Sequence, residues 1–339
     1  MRKLDRILVT GGAGFIGSAF IRFLFRLSDS APHVVNLDVL TYSANLELLK
    51  AVDHHPRYRF IQGDINDQTL IESILAEEEI DAVVHFAAQT HVDRSIASAA
   101  PFIETNVKGT MALLEAVRQF PEVHFHHVST DEVYGALGES GAFNEQSPYR
   151  PNSPYAASKA ASDHLVRAYA NTYNLSTTIS HCSNNYGPGQ YPEKLIPLMI
   201  LAALAKKPLP VYGRGHHVRD WLYVDDHAEG LWRILCRGQR HQTYDMGGLT
   251  ERSNLDLIRH LLEIIADETH RDVRDLNALV RFVEDRPGHD YRYAIDISKI
   301  KRELGWEPKI EIQDGLRKTV RWYLKAQVSS SGALTSSPP

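Results

Sequence analysis

Tyr155 and Lys159 stand four residues apart in Tyr-Ala-Ala-Ser-Lys, directly after Pro154, which suits the first turn of a helix. Positions i and i+4 share a helix face, so the phenol and the ammonium project together. An ammonium beside a phenol favours the phenolate and lowers its pKa, giving a base usable near neutrality. Taken alone, the spacing is as common on solvated helices as in active sites. A hydroxyl at Ser129 or Thr130 completes a Ser/Thr-Tyr-Lys trio, able to take a proton from an alcohol while a hydride leaves. Asp131 and Glu132 follow at once. Two adjacent carboxyls supply a separate acid and base, which is what eliminating water beside a new ketone requires. Like charges in a closed site push two carboxyl pKa values apart, so that one can serve as the acid and the other as the base.

A departing hydride needs an acceptor, and the N-terminal residues offer a place for one. In Thr10-Gly11-Gly12-Ala13-Gly14-Phe15-Ile16-Gly17, G-x-G-x-x-G is met by Gly12, Gly14 and Gly17, and G-x-x-G-x-x-G by Gly11, Gly14 and Gly17. Residues without Cβ let the backbone turn tightly and approach a pyrophosphate, which the following helix N-terminus attracts. Asp38 ends the next β-rich run, 21 residues beyond Gly17, where a carboxylate accepts both ribose hydroxyls. No Arg or Lys follows it before Lys50, so NAD is expected rather than NADP. Asp64-Ile65 ends a third run, placed for the adenine amino group, although Asp64 could equally cap a helix starting at Asn66. Ala87-Ala88-Gln89 ends a fourth, near the nicotinamide ribose.

These residues must be held by a common frame. Short apolar runs at 6–10, 33–37, 59–62, 82–86 and 123–129 read as buried parallel strands, separated by helical stripes such as Ile16, Phe20, Phe23, Leu24 and Leu27. Alternating strands and helices imply right-handed βαβ units and a doubly wound α/β sheet of Rossmann type. Prolines and glycines between 187 and 215 break that rhythm; helical patterns return at 224–236, 254–266 and 314–326. The expected division is a NAD-binding domain over 1–183, with 221–243 returning to it. A smaller interleaved α/β lobe for the substrate takes 184–327, and 328–339 is expected to be a disordered tail.

Composition excludes whole classes. The 339 residues carry 37 basic and 42 acidic side chains, a net charge of −5 that gives no footprint for nucleic acid. Two cysteines cannot staple a chain of this length, so a reducing, cytoplasmic setting is expected. The longest apolar run, 195–205, is too short for a bilayer, and no exported leader pattern opens the sequence. His124, His126 and His127 crowd one strand, but nothing near them in sequence completes a ligand set, so no metal is expected.

From residue 6 to about 325 the chain resembles the extended short-chain dehydrogenase/reductases, and within them the dTDP-glucose 4,6-dehydratase family. The segments that carry the resemblance are 11–18, 38–42, 85–95, 129–135, 155–159, 183–188, 192–197, 218–221 and 286–290. It implies that NAD is held by Gly11, Gly14, Phe15, Ile16, Gly17, Asp38, Val39, Leu40, Thr41, Asp64, Ile65, Ala87, Ala88, Gln89, Thr105, Tyr155, Lys159 and Asn185. It implies catalysis by Thr130, Asp131, Glu132, Tyr155 and Lys159 on dTDP-glucose: oxidation at C4, loss of water across C5 and C6, and return of the hydride to C6. His91, Thr130, Asn184, Lys194, Leu195, Arg219, Asn254, Arg286 and His289 are implied in substrate binding, with Pro210, Val211 and Tyr212 lining the base pocket. Arg219 suits a diphosphate, which its guanidinium matches bidentately, though a structural ion pair with Asp220 or Asp225 competes as an explanation. A homodimer packed through 101–119 and the Tyr155 helix is implied as well. His181 stands where the family usually has Arg, so a weaker or pH-sensitive contact is expected there. A 4-epimerase of the same fold has no elimination step and no use for Asp131 and Glu132. Thymidine over uridine rests on the resemblance alone, since one methyl group is worth only ~1 kcal/mol.

Overall fold

The computed structural model describes residues 2, 4–27 and 31–333. Its frame is a seven-stranded sheet of β1 (Arg6–Thr10), β2 (His33–Asp38), β3 (Tyr58–Gln62), β4 (Ala82–His85), β5 (His124–Thr130), β6 (Thr177–Cys182) and, after an excursion, β10 (Gln242–Met246). The strands run in the order β10-β6-β5-β4-β1-β2-β3 and every pairing is parallel. The order reverses between β1 and β4, so the helices that follow them diverge and leave a crevice at the carboxyl ends of the strands.

Alternation along β1 assigns the two faces of the sheet. Ile7 and Val9 pack with Phe20, Leu24, Leu231 and Ile234, on the side of helices Phe15–Arg26 and Val224–Arg237. Leu8 points the other way, into a layer with Ile71, Leu113 and Val166 from helices Gln68–Glu77, Thr110–Arg118 and Pro154–Tyr173. Each such fully buried aliphatic side chain contributes roughly 1.5–3 kcal/mol. The helix of Tyr155 starts where the sequence predicts: the Ser153 side chain accepts from the Ala156 amide and Pro154 occupies the first turn.

The second lobe consists of two small sheets and a separate core. β7 (Asn184–Tyr186), β9 (Val218–Tyr223) and β11 (Glu251–Ser253) form one sheet, and β8 (Leu209–Tyr212) pairs with β12 (Val280–Val283) in the other. Helices Leu195–Leu204, Asn254–Thr269 and Ile312–Ala333 close over them, with Met199, Ile258, Leu261 and Leu316 fully buried. Of the tail expected from 328, residues 328–333 continue the backbone of the last helix; residues 334–339 lie outside the described residues.

Candidate active site

At the carboxyl edge of the sheet lies a cavity of about 400 Å³, reached by every residue expected to hold the cofactor except Leu40. Gly11 adopts φ +73°, and a Cβ on it would sit 2.6 Å from the Ala87 amide nitrogen, so only glycine lets β1 and β4 approach this closely. A Cβ on Gly17 would lie 2.5 Å from the Gly11 carbonyl, which fixes how near the helix packs to the turn. No side chain caps that helix, so its first amides remain available to a diphosphate. Asp38 is fastened from two sides: Oδ2 accepts from the Ala13 amide at 2.9 Å and Oδ1 from Leu40 at 2.8 Å. Burial raises its pKa, and those two amides oppose the rise. Leu40 thus serves through its backbone, in a left-handed conformation (φ +59°), and its side chain stays outside the cavity. Asp64 lines the cavity and also turns the chain by accepting from Asn66; the helix itself begins at Gln68 and is capped by Asp67.

The reacting groups gather where this cavity meets a second one, of about 230 Å³. Tyr155, Thr130, Asp131 and Lys159 line the first, and Glu132 borders both. Asp131 is buried with Oδ2 unpartnered. Burial, then the neighbouring Glu132 charge and Asp220, push its pKa well up. Burial raises Glu132 too, but Lys194 and Arg219 oppose it there. Both pKa values are thus raised, Asp131 the more strongly, so a proton shared by the pair favours Asp131.

Lys159 makes its hydrogen bonds elsewhere than at the Tyr155 phenol, on which it can act only through its charge: Nζ donates to the Val128 carbonyl at 2.9 Å and lies 3.3 Å from His127 Nε2. Burial and then Glu132 raise the Tyr155 pKa, and Thr130, within hydrogen-bonding reach, opposes the rise. Burial pushes Lys159 down to about 8. The i and i+4 rule put both residues on one face, but a lysine of this reach turns to a strand carbonyl behind it.

All the residues expected to hold the substrate, apart from Thr130, border the second cavity. Lys194 is tied to the Thr90 carbonyl at 2.9 Å. Arg219 forms neither competing ion pair. Its guanidinium bonds the carbonyls of Val218 and Asp290, while Asp220 accepts from Gly248 and Thr250, and Asp225 binds Arg26. Arg286 is anchored to Asp93 at 3.0 Å, and His289 to Asp285 at 2.7 Å with its ring stacked on His217. Asn254 Oδ1 is buried without a partner, as is fitting for an acceptor that awaits a ligand donor.

His181 touches neither cavity; it is fully buried between Asp163 and Asp245, at 2.9 and 2.8 Å. His124 and His126 bond the hydroxyls of Ser176, Thr178 and Ser180 on the adjacent strand. Sequence reasoning also missed several site residues. Asn106, on the π-helical turn Ile103–Gly109, clasps Gln89 from both sides and bonds Ser158. Glu193 borders both cavities and bonds Tyr42. Tyr293 borders the substrate cavity under the Arg219 guanidinium, 4.4 Å from ring centre. Only Glu193 had a signal in sequence, beside Lys194 in a quoted motif.

The sheet order and the trio at its carboxyl edge define the chain as an extended short-chain dehydrogenase/reductase. A family model described as GDP-mannose 4,6 dehydratase matches residues 8–319. The dTDP-glucose 4,6-dehydratase of Neisseria meningitidis serogroup B is 54% identical, over 95% of this chain and 94% of its own. The chain belongs to the dTDP-glucose 4,6-dehydratase family. A member from Streptomyces venezuelae, solved with NAD and dTDP bound, superposes with a TM-score of 0.89 at 48% identity, covering 96% of this chain and 98% of that one. The UDP-glucuronic acid 4-epimerase of Bacillus cereus shares the architecture at 29% identity, with a TM-score of 0.86 over 95% and 99% of the chains.

Proposed function

We propose that this chain converts dTDP-glucose to dTDP-4-keto-6-deoxyglucose and water, with NAD in the first cavity and the sugar nucleotide in the second. The observation that carries the reading is Glu132, shared by both cavities beside a buried, proton-retaining Asp131. Bound NAD supplies the hydride acceptor and, within the same turnover, the hydride donor. Tyr155 takes the proton of the C4 hydroxyl, assisted by Thr130 and Lys159. The C4 ketone acidifies C5–H, Glu132 removes that proton, and Asp131 gives its own to the departing C6 hydroxyl, which leaves as water. Glu132 returns its proton to C5 as C6 is reduced, and the cycle closes when the proton left on Tyr155 is released and Asp131 takes one up. Lys194, Arg219 and Arg286 hold the diphosphate, and Pro210, Val211 and Tyr212 wall the base.

The reading extends to organisation. NAD belongs to 1–183 with 221–243, and the sugar nucleotide mainly to 184–327. Ile103 and Met111, half exposed on the outer face of their helices, support a homodimer through that face and Pro154–Tyr173. No helix among the described residues is long and apolar enough to cross a membrane. Cys182 and Cys236 are both unpaired, which supports a reducing cytoplasm. Mass spectrometry of the product tests the reaction: loss of one water is expected from dTDP-glucose, and a product isobaric with its substrate overturns it. Running UDP-glucose alongside tests the base.

A further inference from the structure

Tyr155, Lys159 and Asp163 fall on one stripe of the helix Pro154–Tyr173, at successive intervals of four. The first two serve the reaction as proposed above; the third lies deeper, fully buried, and touches neither cavity. His127 stands between Lys159 and Asp163, its Nε2 3.3 Å from Lys159 Nζ and 3.3 Å from Asp163 Oδ1. Asp163 Oδ2 in turn bonds His181 Nε2 at 2.9 Å and the Tyr149 hydroxyl at 2.8 Å. His181 Nδ1 meets Asp245 Oδ1 at 2.8 Å and the Tyr134 hydroxyl at 2.8 Å.

A histidine with a carboxylate on each nitrogen donates from both only as an imidazolium. His181 then neutralises one of its two carboxylates and leaves one net negative charge in the cluster. Asp163 acts on the charge of Lys159, whose own bonds reach only a carbonyl and an imidazole. His127 Nε2 can accept from the lysine or donate to Asp163, but not both at once. The hydrogen-bond geometry favours the lysine: Nε2 accepts from Lys159, while Asp163 Oδ1, equally near, has no hydrogen-bond partner among the described residues. Lys159 is then held by the Val128 carbonyl, by His127 and by the field of Asp163.

We propose that the buried chain His127–Asp163–His181–Asp245 is a positioning device for Lys159, in which Asp163 supplies the counter-charge that keeps the lysine cationic beneath Tyr155 and His181 keeps Asp163 ionised. The charge balance around it fits. Burial opposes ionisation of Asp163, yet the neighbouring His127 and His181 hold its pKa well below the usual carboxylate range. Burial would lower His181, and the two carboxylates hold it up at about 9. His127 is pushed down to about 4 by burial and then by Lys159, which keeps it neutral. Groups facing the cluster from other elements are Tyr134 after β5, Tyr149 before the helix, Glu145 at the Asp245 amide, and Arg167 on the Tyr149 hydroxyl. Cys182 on β6 and His85 on β4 face Lys159 itself.

The test is the pH profile of kcat/KM for water loss, measured on the holoenzyme. In Asp163→Asn the acidic limb is expected to move up by about 1 pH unit, because a less cationic Lys159 no longer favours the Tyr155 phenolate. A uniform fall in rate with the midpoint unmoved overturns the proposal, since that is what a structural role alone would give. His181→Arg is expected to keep the midpoint and His181→Gln to shift it; identical midpoints in the two overturn it as well. Nitrogen NMR of the unaltered protein reads the same point without a variant. His181 protonated on both nitrogens at neutral pH supports the device, and a neutral ring overturns it. The proposal rests on Tyr155 as the base, and that reading fails separately: full turnover in Tyr155→Phe overturns both, whereas a neutral His181 overturns only the device.

Discussion

Asp131 and Glu132 are neighbours in sequence but answer to different surroundings. Burial raises the pKa of both; Asp131 is raised further by Glu132 and Asp220, whereas Glu132, at the cavity junction, has Lys194 and then Arg219 opposing the rise. A proton placed on the pair therefore resides on Asp131. This asymmetry makes an acid and a base from two chemically similar groups.

Glu132→Gln removes the base and leaves Tyr155 in place. C4 oxidation should proceed and elimination should fall by about 10²–10⁴-fold, so absorbance of reduced NAD accumulates on adding dTDP-glucose. Turnover at the rate of the unaltered enzyme would remove Glu132 from the mechanism.

Asp38 should decide the nucleotide. Replacing it with Ala frees the Ala13 and Leu40 amides and removes the charge that opposes a 2′-phosphate. We expect NAD affinity to drop by ~1–2 kcal/mol while the preference over NADP narrows, both read by calorimetric titration.

Gly11→Ala puts a methyl against the Ala87 backbone at a positive φ. Some 1–3 kcal/mol of stability should be lost, visible as a lower Tm, together with weakened NAD retention through purification.

Arg219 is aimed at the second cavity by backbone carbonyls and the Tyr293 ring, with no carboxylate of the described residues bonded to it, so a change there should act on binding first. Arg219→Lys is expected to raise KM for the nucleotide sugar about tenfold with a smaller change in kcat, because a lysine loses the planar fork. An unchanged KM would take the diphosphate away from this residue.

Acid should destabilise the fold through its buried neutral histidines. Burial pushes His126 and His227 down to about 3, so both bind protons more readily unfolded than folded. Their contribution is present above about 6.5 and is lost as pH falls from there toward 3. His227→Gln should flatten the acid side of a plot of Tm against pH.

Local patterns made much of the site legible. The glycine turn, Asp38, and the run from Thr130 to Glu132 each depend on residues close in sequence, and the βαβ rhythm fixed where their strands end. β6 was harder to read because Thr177–Cys182 looks polar. Its hydroxyls are buried by bonding His124 and His126 across the pair, a match between two segments that neither announces alone. Asn106 was hidden for a different reason: a π-helical turn offsets the helical register that would predict its direction. Tyr293 reaches the site only because residues 291–293 run beside β9, a long-range contact without local signature.

The return of the chain through β10 has a consequence for how this molecule could be divided. A chain ending at residue 183 would retain the glycine turn, the trio and both carboxyls, yet it would lack β10 and leave the edge of β6 open. That edge would be a template for pairing with another copy. The cofactor half is thus not a transferable module: its solubility depends on residues encoded beyond the first strand of the other lobe, and exchanging substrate lobes between relatives would require two cuts rather than one.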